Sequence, residues 1–144
     1  MKHYFTKIFI FSIFLMLIFI FSCHKEERIP YADVDYRIYL DLPEFSDLKT
    51  PGNYLKITGG VRGIIIYCYF TDEYRAFERN CPYEPSNPDA VLDVDSTGLF
   101  LVCKHCHSKF MLSDGSKIEG PAKYPALQYG TYLENNILYI FNTY

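Results

Sequence analysis

Two patterns of apolar and polar residues divide the chain. Residues 8–21 are apolar at every position but Ser12. Downstream, the apolar residues come in short alternating runs. Tyr36 to Leu42 alternates so that Tyr36, Ile38, Leu40 and Leu42 share one face of a strand. Thr50-Pro51-Gly52 is a turn signal, Asn53 to Thr58 a short strand, and Gly59-Gly60 its breaker. Ile64 to Phe70 reads as the strongest strand. Tyr74 to Arg79 returns from it across Thr71-Asp72-Glu73. Cys81 to Pro88 is a loop stiffened by Pro82, Pro85 and Pro88. Val91 to Asp93 and Leu99 to Cys103 form a hairpin across Asp95–Gly98, and Lys104 to Ser108 is a loop. Phe110 to Leu112 and Ser116 to Ile118 flank Asp114-Gly115, the strongest short hairpin signal in the chain. Gly120-Pro121-Ala122 is a further loop. Leu127 to Glu134 and Ile137 to Phe141 close a last hairpin across Asn135-Asn136. Short strands with frequent turns predict an all-β antiparallel sandwich or barrel.

The first pattern has a different meaning. Lys2 and Lys7 precede the apolar run, and a basic start followed by about 14 apolar residues is the form of a secretory signal peptide. The run is short for a membrane span, which needs about 20 residues. It ends at Ile20-Phe21-Ser22-Cys23, which resembles the bacterial lipobox. That resemblance implies cleavage before Cys23, acylation of its thiol, and a membrane partner reached through the lipid. Position +2 is His24 rather than Asp, which in a two-membrane bacterium points to the outer membrane, on its periplasmic or surface side. The expected organisation is a signal peptide over 1–22, a lipidated polar tether over 23–34 and one β domain over 35–144.

Removing residues 1–22 leaves 122 residues, enough for one core. It also removes two lysines and no acids. The mature chain then has 12 basic and 17 acidic residues, net −5, with nothing to bind nucleic acid. Cys23 is spent on lipid. Cys68, Cys81, Cys103 and Cys106 remain, and outside the cytoplasm four thiols allow three disulfide pairings. Cys68 lies mid-strand on the face of Ile64, Ile66 and Phe70 and reads as a core residue. A disulfide to Cys81 is the rival reading.

The candidate chemistry sits in two loops, Cys81-Pro82-Tyr83 and Cys103-Lys104-His105-Cys106-His107. Three thiols and two imidazoles there suit a tetrahedral zinc, and Cys103-x-x-Cys106 has the spacing of half such a site. From Tyr54 to about Ile140 the chain resembles Rieske iron–sulfur domains. The family's second loop reads C-P-x-H-G-x-x-F, followed by a D-G or T-G turn and a G-P-A loop. Here Cys103, Phe110, Asp114-Gly115 and Gly120-Pro121-Ala122 fall in that order. The resemblance implies a small β fold with a loop-built tip holding a [2Fe–2S] cluster on two Cys and two His. Its cysteines map to Cys81 and Cys103. Its histidines map to Tyr83 and Cys106, so both imidazoles are missing in register, with His105 and His107 one step to either side. The cysteines that often bridge the family's two loops would fall on Ser86 and His105, so that disulfide is absent.

Three readings of the tip follow. A cluster binds through Cys81, Cys103, Cys106 and one of Tyr83, His105 or His107. One zinc binds through Cys81, Cys103, Cys106 and His107. Or no metal binds and two thiols form a disulfide. Clusters are generally inserted in the cytoplasm, and export of a folded chain needs a twin-arginine signal. Residues 1–7 contain no arginine, so this signal resembles the general secretory type. No nucleophile–base constellation stands out, so the chain is read as an envelope redox or metal-binding module and not an enzyme. Its protein partner is unnamed. The alternative is a binding or scaffold lipoprotein that keeps the fold without the cluster.

Overall fold

The computed structural model describes residues 27–143. The signal segment, Cys23 and Tyr144 lie outside the described residues. Ten strands follow in order: β1 (Asp35–Tyr39), β2 (Tyr54–Ile57), β3 (Ile64–Phe70), β4 (Glu73–Glu78), β5 (Leu92–Val94), β6 (Phe100–Cys103), β7 (Lys109–Met111), β8 (Lys117–Glu119), β9 (Gln128–Glu134) and β10 (Ile137–Phe141). All pair antiparallel. One sheet runs β1-β10-β9-β4-β3-β2 and the other β5-β6-β7-β8. Among the described residues no helix is long and apolar enough to cross a membrane.

β3 explains the architecture. It carries no charged residue, and from Ile64 to Cys68 both of its faces are buried, whereas a half-exposed strand alternates. Ile64, Ile66 and Cys68 enter one core, and Ile65 and Tyr67 enter a second. The first core is closed by curling of the large sheet, which brings Ile38, Leu138, Ile140 and Tyr129 over β3 and β4. The curl carries the β1 side round to the far edge. A Cβ on Gly59, just past β2, would lie 2.3 Å from the Tyr36 hydroxyl oxygen of β1. The second core lies between β3–β4 and the small sheet, which contributes Leu92, Leu101, Cys103 and Phe110.

Local turn chemistry matches the chain. Asn135 and Asn136 both have positive φ, 51° and 61°, as a two-residue turn between β9 and β10 requires. Three details differ from the pattern. The alternation of β1 stops at Leu40, and Leu42 is 44% exposed, because Pro43–Lys49 turns as a 3-10 helix that puts Leu48 into the first core instead. A bulge between Cys68 and Phe70 breaks the two-residue period, so Phe70 is 55% exposed while Cys68 stays inside. The packed body also begins before residue 35. Val34 is buried, its N–H donates to Asn142 Oδ1 at 2.8 Å, and Asn142 Nδ2 donates to Ala32 O.

Candidate metal centre

Three loops meet at one end of the small sheet. The β4–β5 loop carries Cys81, the β6–β7 loop carries Cys103 and Cys106, and the β8–β9 loop carries Gly120-Pro121-Ala122.

The first loop is held at its base and from behind. Cys81 N–H donates to Ala90 O at 2.9 Å, beside an isolated bridge between Asn80 and Val91. Behind it stands Glu78, fully buried at the end of β4. Its carboxylate accepts four hydrogen bonds: from the N–H groups of Val61 (2.7 Å), Arg62 (2.9 Å) and Asn80 (2.8 Å), and from the Tyr129 hydroxyl (2.7 Å). A buried carboxylate is tolerable only when its lone pairs are satisfied in this way. Asn80 Nδ2 then donates to Pro85 O and Arg62 Nη1 to Pro88 O, which fixes the proline-rich limb.

The second loop reverses within six residues. His107 N–H donates to Cys103 O at 2.8 Å and Cys103 N–H to Ser108 O at 2.9 Å. His107 makes the reversal with φ at 60°, in the left-handed region. It stands where the C-P-x-H-G pattern has glycine. The third loop lies on the second. Ser108 Oγ is buried and accepts from Ala122 N–H at 3.0 Å, and a Cβ on Gly120 would meet Ser108 Cα at 2.4 Å. Only glycine fits that approach, at φ 92°.

This framework brings together the sulfur atoms of Cys81, Cys103 and Cys106, all within 4.8 Å of one another. The sulfurs of Cys81 and Cys106 are 3.6 Å apart. Cys81 and Cys103 are buried and Cys106 is half-buried; all are free thiols. Burial pushes the Cys81 and Cys103 thiols above their ordinary range. Burial opposes ionisation of Cys106 too, but hydrogen bonds from Ser108 and the loop outweigh it, and the Cys106 thiol lies below its ordinary value. As a thiol, Cys106 donates to Ser108 Oγ at 3.2 Å.

The imidazoles do not join this group. His105 is exposed, with Nε2 2.9 Å from Glu84 Oε2 and 3.0 Å from Asn87 Nδ2. It ties the outer ends of the two loops together, and its hydrogen bond holds the Glu84 carboxyl below the usual carboxylate range. His107 is exposed. Tyr83, at the first histidine position, is 41% exposed. Cys68 lies in the first core and Cys81 in the second, so β3 separates them. Glu78 was not read from the sequence as a support. Its partner Tyr129 is 51 positions away, and no local signal pairs them.

The donor set is a test of what the tip can hold. A Rieske-type cluster takes four ligands in two pairs, one pair on each iron. Three thiols that converge on one point, with no imidazole among them, do not fit two irons. They do fit one ion. Tetrahedral geometry at a metal–sulfur distance of about 2.3 Å puts sulfurs about 3.8 Å apart.

No protein-family model matches the sequence. No curated protein matches it. Solved structures do. The cyanobacterial plasma membrane Rieske protein PetC3 from Synechocystis PCC 6803 superposes with a TM-score of 0.52 at 18% identity, covering 67% of this chain and 93% of that one. A complex of reduced oxygenase and oxidised ferredoxin in carbazole 1,9a-dioxygenase gives 0.47 at 16% identity, covering 64% of this chain and 82% of that one. The first likeness, at this identity, shows that the β domain has a Rieske-like fold.

Proposed function

We propose that this chain, a Rieske-like fold without the Rieske ligand set, is a metal-binding module of the bacterial envelope. It holds one tetrahedral ion of the zinc type on Cys81, Cys103 and Cys106, and it is anchored through acylated Cys23. The observation that carries the reading is the convergence of three thiols, from two loops, to within 4.8 Å of one another. A [2Fe–2S] cluster is set aside because Tyr83 and Cys106 replace its histidines and only three converging donors are at hand.

Bound there, the ion would supply a Lewis-acidic centre with one coordination position open to water or to a donor from a partner. The protein's own part is to present three thiolates in fixed geometry. Glu78 and the prolines hold Cys81, while Ser108 and the Gly120–Ala122 loop hold Cys106. Among the described residues the converging thiols number three, which supports one ion over a two-iron cluster.

Metal and acid-labile sulfide are measured on protein extracted from native membranes, because cytoplasmic expression without the signal can load a group the exported chain never meets. The expected result is one divalent ion per chain and no sulfide. Two irons and two sulfides would overturn the reading in favour of a cluster. No metal, with two thiols oxidised, would make the fold a scaffold.

A further inference from the structure

The segment that leads into the domain does not leave from the end of the fold remote from the cysteines. Ser86, in the Cys81 loop, donates to Glu27 Oε2 at 2.7 Å. The Arg28 guanidinium stacks 3.7 Å from the centre of the Tyr124 ring. Glu27, Arg28, Ile29 and Tyr31 wall a cavity of about 490 Å³ whose other side includes Pro82, the neighbour of Cys81. Residues 27–31 are therefore docked beside the metal loops.

From Cys23 to Glu27 is four residues. Fully extended, four residues span at most about 14 Å. With acylated Cys23 at the lipid surface, Glu27 and its partner Ser86 cannot move farther from that surface than this leash allows. The opposite end of the domain can. β9 runs away from Gln128, which pairs with Phe77 near the metal loops, toward Glu134, and β1 ends there at Tyr39. Seven residues of strand place that end about 20 Å beyond the tip.

We propose that the domain sits tip-down, with its cysteine loops against the lipid headgroups. This rests on the reading of Cys23 as acylated. The tip is dressed for that position. Tyr31 and Tyr83 are 65% and 41% exposed, and Lys104 is exposed between the two loop cysteines. Tyrosine favours the membrane–water interface, and lysine is drawn to anionic headgroups.

The chain contains no tryptophan, so a single introduced one reports its own depth. The full acylated protein, carrying either Tyr83→Trp or Tyr39→Trp, is reconstituted in vesicles with nitroxide-labelled headgroups. Tyr83→Trp is expected to lose most of its emission and Tyr39→Trp to keep it. A flexible Gly/Ser insert of about twelve residues after Lys25 adds a reach of about 20 Å and is expected to restore Tyr83→Trp emission while the protein stays bound. Equal quenching at both positions, or none at Tyr83→Trp, in a protein that mass measurement shows to be acylated and that remains bound, overturns the orientation and leaves the anchor standing. A chain without acyl groups that washes off the vesicles overturns both.

Discussion

The sulfur of Cys81 lies 3.6 Å from that of Cys106, although 25 positions separate them and each belongs to a different loop. The nearer cysteine in sequence, Cys103, is the partner that a C-x-x-C spacing suggests. The folded loops bring all three sulfurs together, with Cys81 and Cys103 buried and Cys106 half-buried. The geometry therefore separates the cysteines by role. Cys106→Ser removes a half-buried ligand and is expected to abolish ion binding with a stability cost below about 1 kcal/mol in the metal-free protein. Cys68→Ala, in the other core, is expected to keep full metal content and to cost about 1 kcal/mol from the small cavity it leaves. Metal analysis and urea unfolding of both variants check the pair.

Proton competition gives a second expectation. Thiols must ionise to bind a metal, so binding expels their protons. Burial pushes Cys81 and Cys103 above their ordinary range, so both hold their protons more tightly than a free thiol. Cys106 is pulled down and ionises first. Affinity thus falls as pH falls. The fall steepens once Cys106 is protonated as well. Competition with a chromophoric chelator between about pH 6 and about pH 9 measures both slopes.

His107 adopts φ 60° in the tight β6–β7 loop. A side chain in that region costs about 1–2 kcal/mol, and glycine returns part of this through the freedom of its unfolded chain. His107→Gly is expected to stabilise the domain by up to about 1 kcal/mol and to leave metal content unchanged. Loss of the ion in that variant would make His107 the fourth ligand.

Glu78 stands behind the Cys81 loop with four donors on one carboxylate. Glu78→Gln keeps the shape but turns one acceptor into a donor among donors, at an expected cost of about 3 kcal/mol. Tyr129→Phe removes the hydroxyl that donates to Glu78 and is expected to cost about 1.5 kcal/mol. Urea unfolding of the two variants and of the double variant tests whether they share one network, since coupled residues do not add.

Local chemistry was legible in the sequence, and distant pairing was not. Asn135-Asn136 and Asp114-Gly115 announce their turns because backbone sterics act within a few residues. The apolar run Ile64–Phe70 announces a strand. Nothing in it tells that its two faces serve two cores, or that a bulge turns Phe70 out, because both depend on strands that arrive later. Residues 43–49 lack strand alternation, and only the burial of Leu48 shows what they do. At the tip, residue types and the order of loops brought Cys81, Cys103 and Cys106 forward together. They did not show that His105 pairs with Glu84 and Asn87 instead, since that depends on how two loops meet.

The pairing of β1 with β10 reaches beyond static architecture. Val34 and Asn142, which flank that pair, lie 108 positions apart. A sheet closed by strands so far apart in sequence cannot be completed during synthesis until β10 has emerged, and non-local pairing of this kind folds slowly. For a chain threaded unfolded across a membrane, as a general secretory signal implies, maturation is then ordered in time. Translocation would come first, closure of the sheet second, and capture of the proposed ion last. On the proposed reading, the ion would then be taken up outside the cytoplasm, from what is present there once the sheet has closed.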